Sequence, residues 1–191
     1  VAAMQQHKRI LLLVSAGVFM STLDSSMLNV ALPSIMQVFA SPLALTEWVI
    51  IIYLLTITVL LLFWGHLSKR YGQGKIYNLG ALIFSIGSLL CFLAPNIFLL
   101  IFFRFIQALG ASMMMAMGPA LIKAVFKHKQ LGRGLGQVGI ATSLGLMAGP
   151  AISGLLIRWS HWRIIFLLTV PVGLAVYFIG QKTRIMIQPD P

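Results

Sequence analysis

The sequence predicts an all-α integral membrane protein of six transmembrane helices. The first reason is composition. Of 191 residues, 59% are hydrophobic and 9% charged, and the mean hydropathy is +0.97. A soluble domain carries about 25% charged residues, and a short chain can hide only about two-thirds of the surface it exposes when unfolded. The second reason is length: the apolar residues fall in runs close to the roughly 20 residues that cross a bilayer. The third is charge placement. Fourteen basic and three acidic residues give a net charge of +11, and the basic ones cluster between the apolar runs. That is the positive-inside pattern, not the spread-out basic surface of a nucleic-acid binder. The runs are too long, and too uniformly apolar, for β-barrel strands.

Taken in order, the spans are placed at Ile10–Pro33, Thr46–His66, Lys75–Ala94, Ile97–Ile122, Leu135–Ile157 and Trp162–Gly180. Ser41-Pro42, Tyr71-Gly72-Gln73-Gly74 and Pro95-Asn96 supply turn chemistry between them. Lys8 and Arg9 precede span 1. Lys69, Arg70 and Lys75 separate spans 2 and 3. Lys123, Lys127, Lys129 and Arg133 separate spans 4 and 5, and Lys182 and Arg184 follow span 6. If the spans alternate, these groups share one face, opposite Glu47, Arg158 and Arg163. Both termini are then expected in the cytoplasm, with the chain multi-pass in the cell (inner) membrane. Trp48, Trp159 and Trp162 are expected at one boundary and Trp64 at the other, as interfacial anchors. Residues 1–184 form the bundle and 185–191 a tail or linker. A start at Val rather than Met suggests an incomplete N-terminus.

Two ionisable residues lie deep inside spans: Asp24 in span 1 and Arg104 in span 4. Each costs about 2.5–3.5 kcal/mol at a helix centre on insertion scales. One reading is a structural pair or a hydrogen-bonded packing group. The other is a water-filled pathway in which Asp24 loads and releases a proton, while Arg104 stays charged beside it. Whether the two meet is left open by the sequence. Ser25 and Asn29 on span 1, and Gln107 one turn beyond Arg104, are candidates for a central substrate cavity. Met114 joins them from a run of methionines that offers adaptable packing.

Span 5 carries Ala141, Gly145, Gly149 and Ser153 four residues apart, a small-residue stripe that lets a neighbouring backbone approach closely. Pro150 removes a helical hydrogen bond within it. Gly134-Leu-Gly136-Gln-Val-Gly139 matches the dinucleotide fingerprint only in form, since that motif needs a preceding strand. The histidines lack metal-ligand spacing, Cys91 is alone in an apolar run, and no nucleophile–base set is visible. No metal, cofactor or enzymatic activity is expected.

Five ordered motifs together resemble one family. Leu23-Asp-Ser-Ser-Met-Leu-Asn-Val-Ala-Leu-Pro33, Gly65-His-Leu-Ser-Lys-Arg-Tyr-Gly72, Arg104-Phe-Ile-Gln-Ala-Leu-Gly110, Gly145-Leu-Met-Ala-Gly-Pro-Ala-Ile-Ser-Gly154 and Trp162-Arg-Ile-Ile-Phe166 are similar to signatures of the drug:proton antiporters. These belong to the fourteen-helix branch of the major facilitator superfamily, and the match is to its N-terminal half. The resemblance implies one six-helix bundle of two inverted three-helix repeats. It gives Asp24 to proton coupling or substrate contact and Arg104 to proton coupling. It gives Gly65, Lys69, Arg70 and Gly72 to bracing one face, and Gly145, Gly149, Pro150 and Gly154 to a bent gating helix. Lys69 departs from the Asp most members carry there, and Ala108 and Ser153 replace glycines. The partners implied are a small-molecule substrate, protons, the bilayer and a second six-helix bundle, either in a homodimer or in a covalent C-terminal half. The competing expectation is a non-transporting subunit or scaffold of a larger membrane complex.

Overall fold

The chain's structure, a computed structural model, describes residues 2–126 and 128–183. Lys127, Arg184, the tail 185–191 and the side chain of Lys129 lie outside the described residues. The described chain is helical throughout. Helix α1 spans Ala2–Phe39, α2 Leu43–Thr46, α3 Trp48–Tyr71, α4 Gln73–Leu93, α5 Ile97–Val125, α6 His128–Trp159 and α7 Ile164–Lys182. Six of these are long and apolar enough to cross a membrane, α2 running into α3. No strand precedes Gly134 among the described residues; these glycines lie on a helix, Gly134 packed against Ile122 and Phe126 and Gly136 and Gly139 exposed, and do not form a phosphate loop.

The spans differ from expectation mainly at their ends. Helix α1 runs through Pro33 to Phe39, because a membrane helix tolerates proline where neighbours satisfy the freed backbone. It ends with Ser41 N–H bonded to Met36 O at 3.2 Å and Ala40 at φ 48°, a left-handed cap normally given to glycine. Helix α6 begins at His128, not Leu135, which shrinks the expected basic loop to a short connection after Val125. The α3–α4 turn is equally tight. Gly72 sits at φ 87°, its N–H bonded to Ser68 O at 2.9 Å, a conformation costly for any residue with a Cβ.

Helix α5 is the hub, packed against α1, α3 and α4, while α1 also packs against α6 and α7. The α4–α5 seam is drawn close by glycine. A Cβ on Gly110 would strike the backbone of Phe84 and Gly80, and one on Gly87 would strike the backbone of Gln107. Helices α3 and α6 are peripheral. Leu54, Leu55, Val59, Leu62 and Phe63 on one, and Ile140, Leu144, Met147 and Leu155 on the other, stand exposed. Such faces need an apolar partner or lipid.

The buried side chains separate into two apolar clusters. One contains Leu13, Val14, Met20, Tyr53, Tyr77, Phe84, Ala108, Met114 and Leu121. The other contains Leu23, Met27, Val49, Cys91, Leu100, Trp162 and Phe166. The change of cluster falls between Met20 and Leu23 on α1, Val49 and Tyr53 on α3, Phe84 and Cys91 on α4, and Leu100 and Ala108 on α5, and there polar residues collect. Trp162, in the turn before α7, is buried edge-on against Phe39 and Phe166. Trp64 is also tied inward, its Nε1–H donating to Ser112 Oγ at 2.7 Å. Trp48 and Trp159 are exposed, as expected.

Candidate functional site: a buried polar layer at mid-bundle

Asp24 on α1 and Arg104 on α5, 80 residues apart in sequence, meet. Arg104 Nη1 donates to Asp24 Oδ2 at 2.5 Å, and both side chains are fully buried. The guanidinium also donates from Nε to Val49 O at 3.1 Å and from Nη1 to Gln107 Oε1 at 2.5 Å. Its plane lies over the Tyr53 ring, 4.1 Å from the centroid. An ammonium could not hold these directions at once; the planar five-donor fork can.

Gln107 closes the ring. Its Nε2 donates to Asp24 Oδ1 at 3.1 Å and to Ser88 Oγ at 2.6 Å. Ser88 and Thr169 share a hydrogen bond of 2.8 Å, and Thr169 donates to Phe166 O at 2.8 Å. Thr169 has one hydroxyl proton, so the direction is fixed: Gln107 donates to Ser88, Ser88 to Thr169, and Thr169 to the α7 backbone. Five helices thus meet in one polar layer. Each carboxylate oxygen is engaged, and the pair is neutral overall, the arrangement that makes a buried charge tolerable.

Some polar atoms in this layer have no protein partner: Arg104 Nη2, the Tyr53 hydroxyl and the Ser21 hydroxyl. Buried groups of this kind are uncommon in well-packed structures and mark places where water or ligand enters.

The remaining candidates fall into three places. Ser25 is half-buried and Asn29 exposed, on the open side of α1. Gln107 and Met114 do not line an open surface. Gln107 belongs to the ion-pair network, and Met114 is fully buried beside Gly17 and Gly80, filling the gap between α1 and α4. Gly65, Lys69 and Arg70 are exposed at the end of α3, followed by the Gly72 turn. Gly145 and Gly149 face α1 at van der Waals range, whereas Gly154 and Pro150 lie on the exposed side of α6. Pro150 cannot bond the carbonyl of Leu146, and Ser26 of α1 does so instead at 2.9 Å. Ser153 Oγ returns a bond to Met27 O at 2.9 Å.

Sequence reasoning missed Tyr53, Ser88 and Thr169. Each is a polar residue inside an apolar span, and that was the available signal.

Six apolar helices around an internal ion pair define a multi-pass membrane bundle. The family comparison makes this specific. The model for "Major Facilitator Superfamily" matches residues 14–184, and the chain belongs to that family. It is 38% identical over 179 residues to the riboflavin transporter RibZ of Clostridioides difficile (strain 630), covering 94% of this chain and 39% of that protein. It is 34% identical to the putative multidrug resistance protein MdtD of Escherichia coli O6:H1, covering 93% of this chain and 37% of that one. The chain therefore spans about two-fifths of the length of these curated relatives. Among solved structures, the proton:xylose symporter XylE superposes with a TM-score of 0.82 at 15% identity, over 93% of this chain and 45% of that one. The peptide transporter POT gives 0.80 at 15% identity, over 91% and 37%. At that identity the likeness is one of fold.

Proposed function

We propose that the chain is one half of a proton-coupled antiporter that exports small lipophilic or cationic molecules across the cell (inner) membrane, with both termini in the cytoplasm. The observation that carries this is the Asp24–Arg104 pair, fully buried at mid-bundle. A buried ion pair adds little stability over apolar packing of the same volume, and ionisable groups inside a membrane bundle mark ion or substrate pathways by default. Protonating Asp24 would remove the partner of a buried cation and disturb all five helices the layer joins. That is the kind of bistable element a coupled transporter needs.

The likeness to MdtD supports a drug-type substrate, and the likeness to RibZ keeps riboflavin among the solutes to test. Ser25 and Asn29 would meet the solute on the open face of α1. The apolar faces of α3 and α6 would meet a second six-helix bundle, in a copy of this chain or further along the same polypeptide, and the two bundles would rock about the layer. Gly65, Lys69, Arg70 and Gly72 would brace one end, while α6, with Gly145, Gly149, Pro150 and Gly154, would bend.

The test is efflux of ethidium or riboflavin by the full-length protein in liposomes under an imposed pH gradient. Asp24→Asn is expected to abolish pH-driven movement while leaving the protein folded. Movement at the wild-type rate in that variant would sink the assignment.

A further inference from the structure

The hydrogen bonds of the layer account for both oxygens of Asp24 but provide no way for a proton to arrive. Gln107, Ser88 and Thr169 end on a backbone carbonyl inside the bundle. The Tyr53 and Ser21 hydroxyls and Arg104 Nη2, by contrast, are buried with no hydrogen-bond partner in the protein. Ser21 and Ser25 are the α1 hydroxyls within reach of the Tyr53 hydroxyl, yet the Tyr53 and Ser21 hydroxyls form no hydrogen bond of standard geometry. Polar groups that gather without bonding directly are where internal water sits, and such a water needs two to four polar partners.

Ser21, Ser25 and Asn29 are spaced four apart, on one face of α1. Along that stripe burial falls steadily: Ser21 is 2% exposed, Ser25 half-buried and Asn29 open. The stripe leads from the unpartnered hydroxyls to the open face.

We propose that the Tyr53 and Ser21 hydroxyls hold a water against Asp24, and that this water is the port through which Asp24 exchanges its proton with the Ser25–Asn29 face. The inference rests on the proton-coupled reading above. In the loading step an O–H bond of the water breaks and an O–H bond forms on an Asp24 oxygen. The water regains a proton handed inward past Ser25. Tyr53 and Ser21 each accept one hydrogen bond and donate one, and end the step neutral. The layer gains one positive charge, carried by Arg104, now unpaired. The groups facing Asp24 are Arg104 from α5, Tyr53 from α3 and Cys91 from α4. Helices α6 and α7 carry ionisable side chains only toward their ends. Tyr53 is thus a positioning residue whose ring supports Arg104 and whose hydroxyl serves the carboxylate.

Time-resolved infrared spectroscopy of the full-length protein in liposomes, after a light-triggered pH drop, reads the step without any substrate. The carboxyl band that Asp24→Asn removes belongs to Asp24. Tyr53→Phe keeps the ring over Arg104 and is expected to slow the growth of that band about tenfold or more, with its final amplitude little changed. Ser21→Ala, a smaller change at the same water, should slow it too, and Thr142→Val on α6 should not. Wild-type rates in both Tyr53→Phe and Ser21→Ala overturn the port and leave the proton-coupled reading standing, because Asp24 still titrates. A changed amplitude at an unchanged rate also overturns it, since the hydroxyls would then only favour one protonation state. Absence of any Asp24 band overturns the port and the proton-coupled reading together.

Discussion

The α4–α5 seam and the α1–α6 seam are built from the same material, small residues that bring two backbones together, yet they are held differently. Along α4–α5, Gly80, Gly87 and Gly110 press against backbone atoms, and the seam is stitched at mid-depth by Gln107 and Ser88. Helix α5 has further neighbours on both sides, α1 and α3. Along α1–α6, Gly145 and Gly149 also pack tightly, but the helix they belong to leans chiefly on α1, and the polar layer does not reach it. Its crossing bonds, Ser26 to Leu146 O and Ser153 to Met27 O, are serines meeting carbonyls, one of which a proline left free. A small-residue stripe therefore does not say whether a helix is fixed or movable. What decides is how many other neighbours that helix has, and whether its hydrogen bonds can be broken singly.

This contrast can be broken at several strengths. The largest effect is expected from Gly110→Leu, which forces a side chain into the backbone of Phe84. Overpacking there should cost about 3 kcal/mol or more, and size-exclusion chromatography of the detergent extract should show little folded protein. Next comes Arg104→Met, which leaves Asp24 buried without its partner. A loss of about 3–5 kcal/mol is expected in thermal unfolding, and adding Asp24→Asn should restore part of it. If the single and double variants unfold alike, the pair is not a unit. Gly149→Val strikes Ser26, but on a helix that can retreat. A milder loss, about 1–3 kcal/mol, is expected, with transport impaired more than folding; Gly154→Ala, off the seam, is the control. The smallest effect is expected from Ser26→Ala, which orphans the Leu146 carbonyl at a cost of about 1 kcal/mol. A stability equal to wild type would show that lipid or water already serves that carbonyl.

Much of this was legible in the chain. Span count follows from hydropathy, and Asp24 and Arg104 announced themselves because a charge inside a span is expensive. The contact between them was not legible, since nothing in a pattern of period 3.6 relates residues on different helices. Ser88 and Thr169 were missed because a lone hydroxyl can bond its own helix and costs little anywhere in a span. Tyr53 was missed because its ring suits a lipid-facing or core position equally well. Met114 was misplaced for the opposite reason: its flexibility suggested a binding surface, and in the bundle it fills space. The span ends were misjudged wherever hydropathy changed before the helix did, at Pro33 and at His128–Gly134, because backbone hydrogen bonding continues past the apolar run.

The polar layer also sets a schedule. Asp24 leaves the ribosome 80 residues before Arg104, and at about 5–20 residues per second it waits roughly 4–16 s for its partner. During that interval the first helix carries an unpaired carboxyl, and Ser88 on the third has neither Gln107 nor Thr169 to bond. A chain interrupted between them has no means of settling its own interior. The layer can therefore close only once α7, which brings Thr169 to Ser88, has been made.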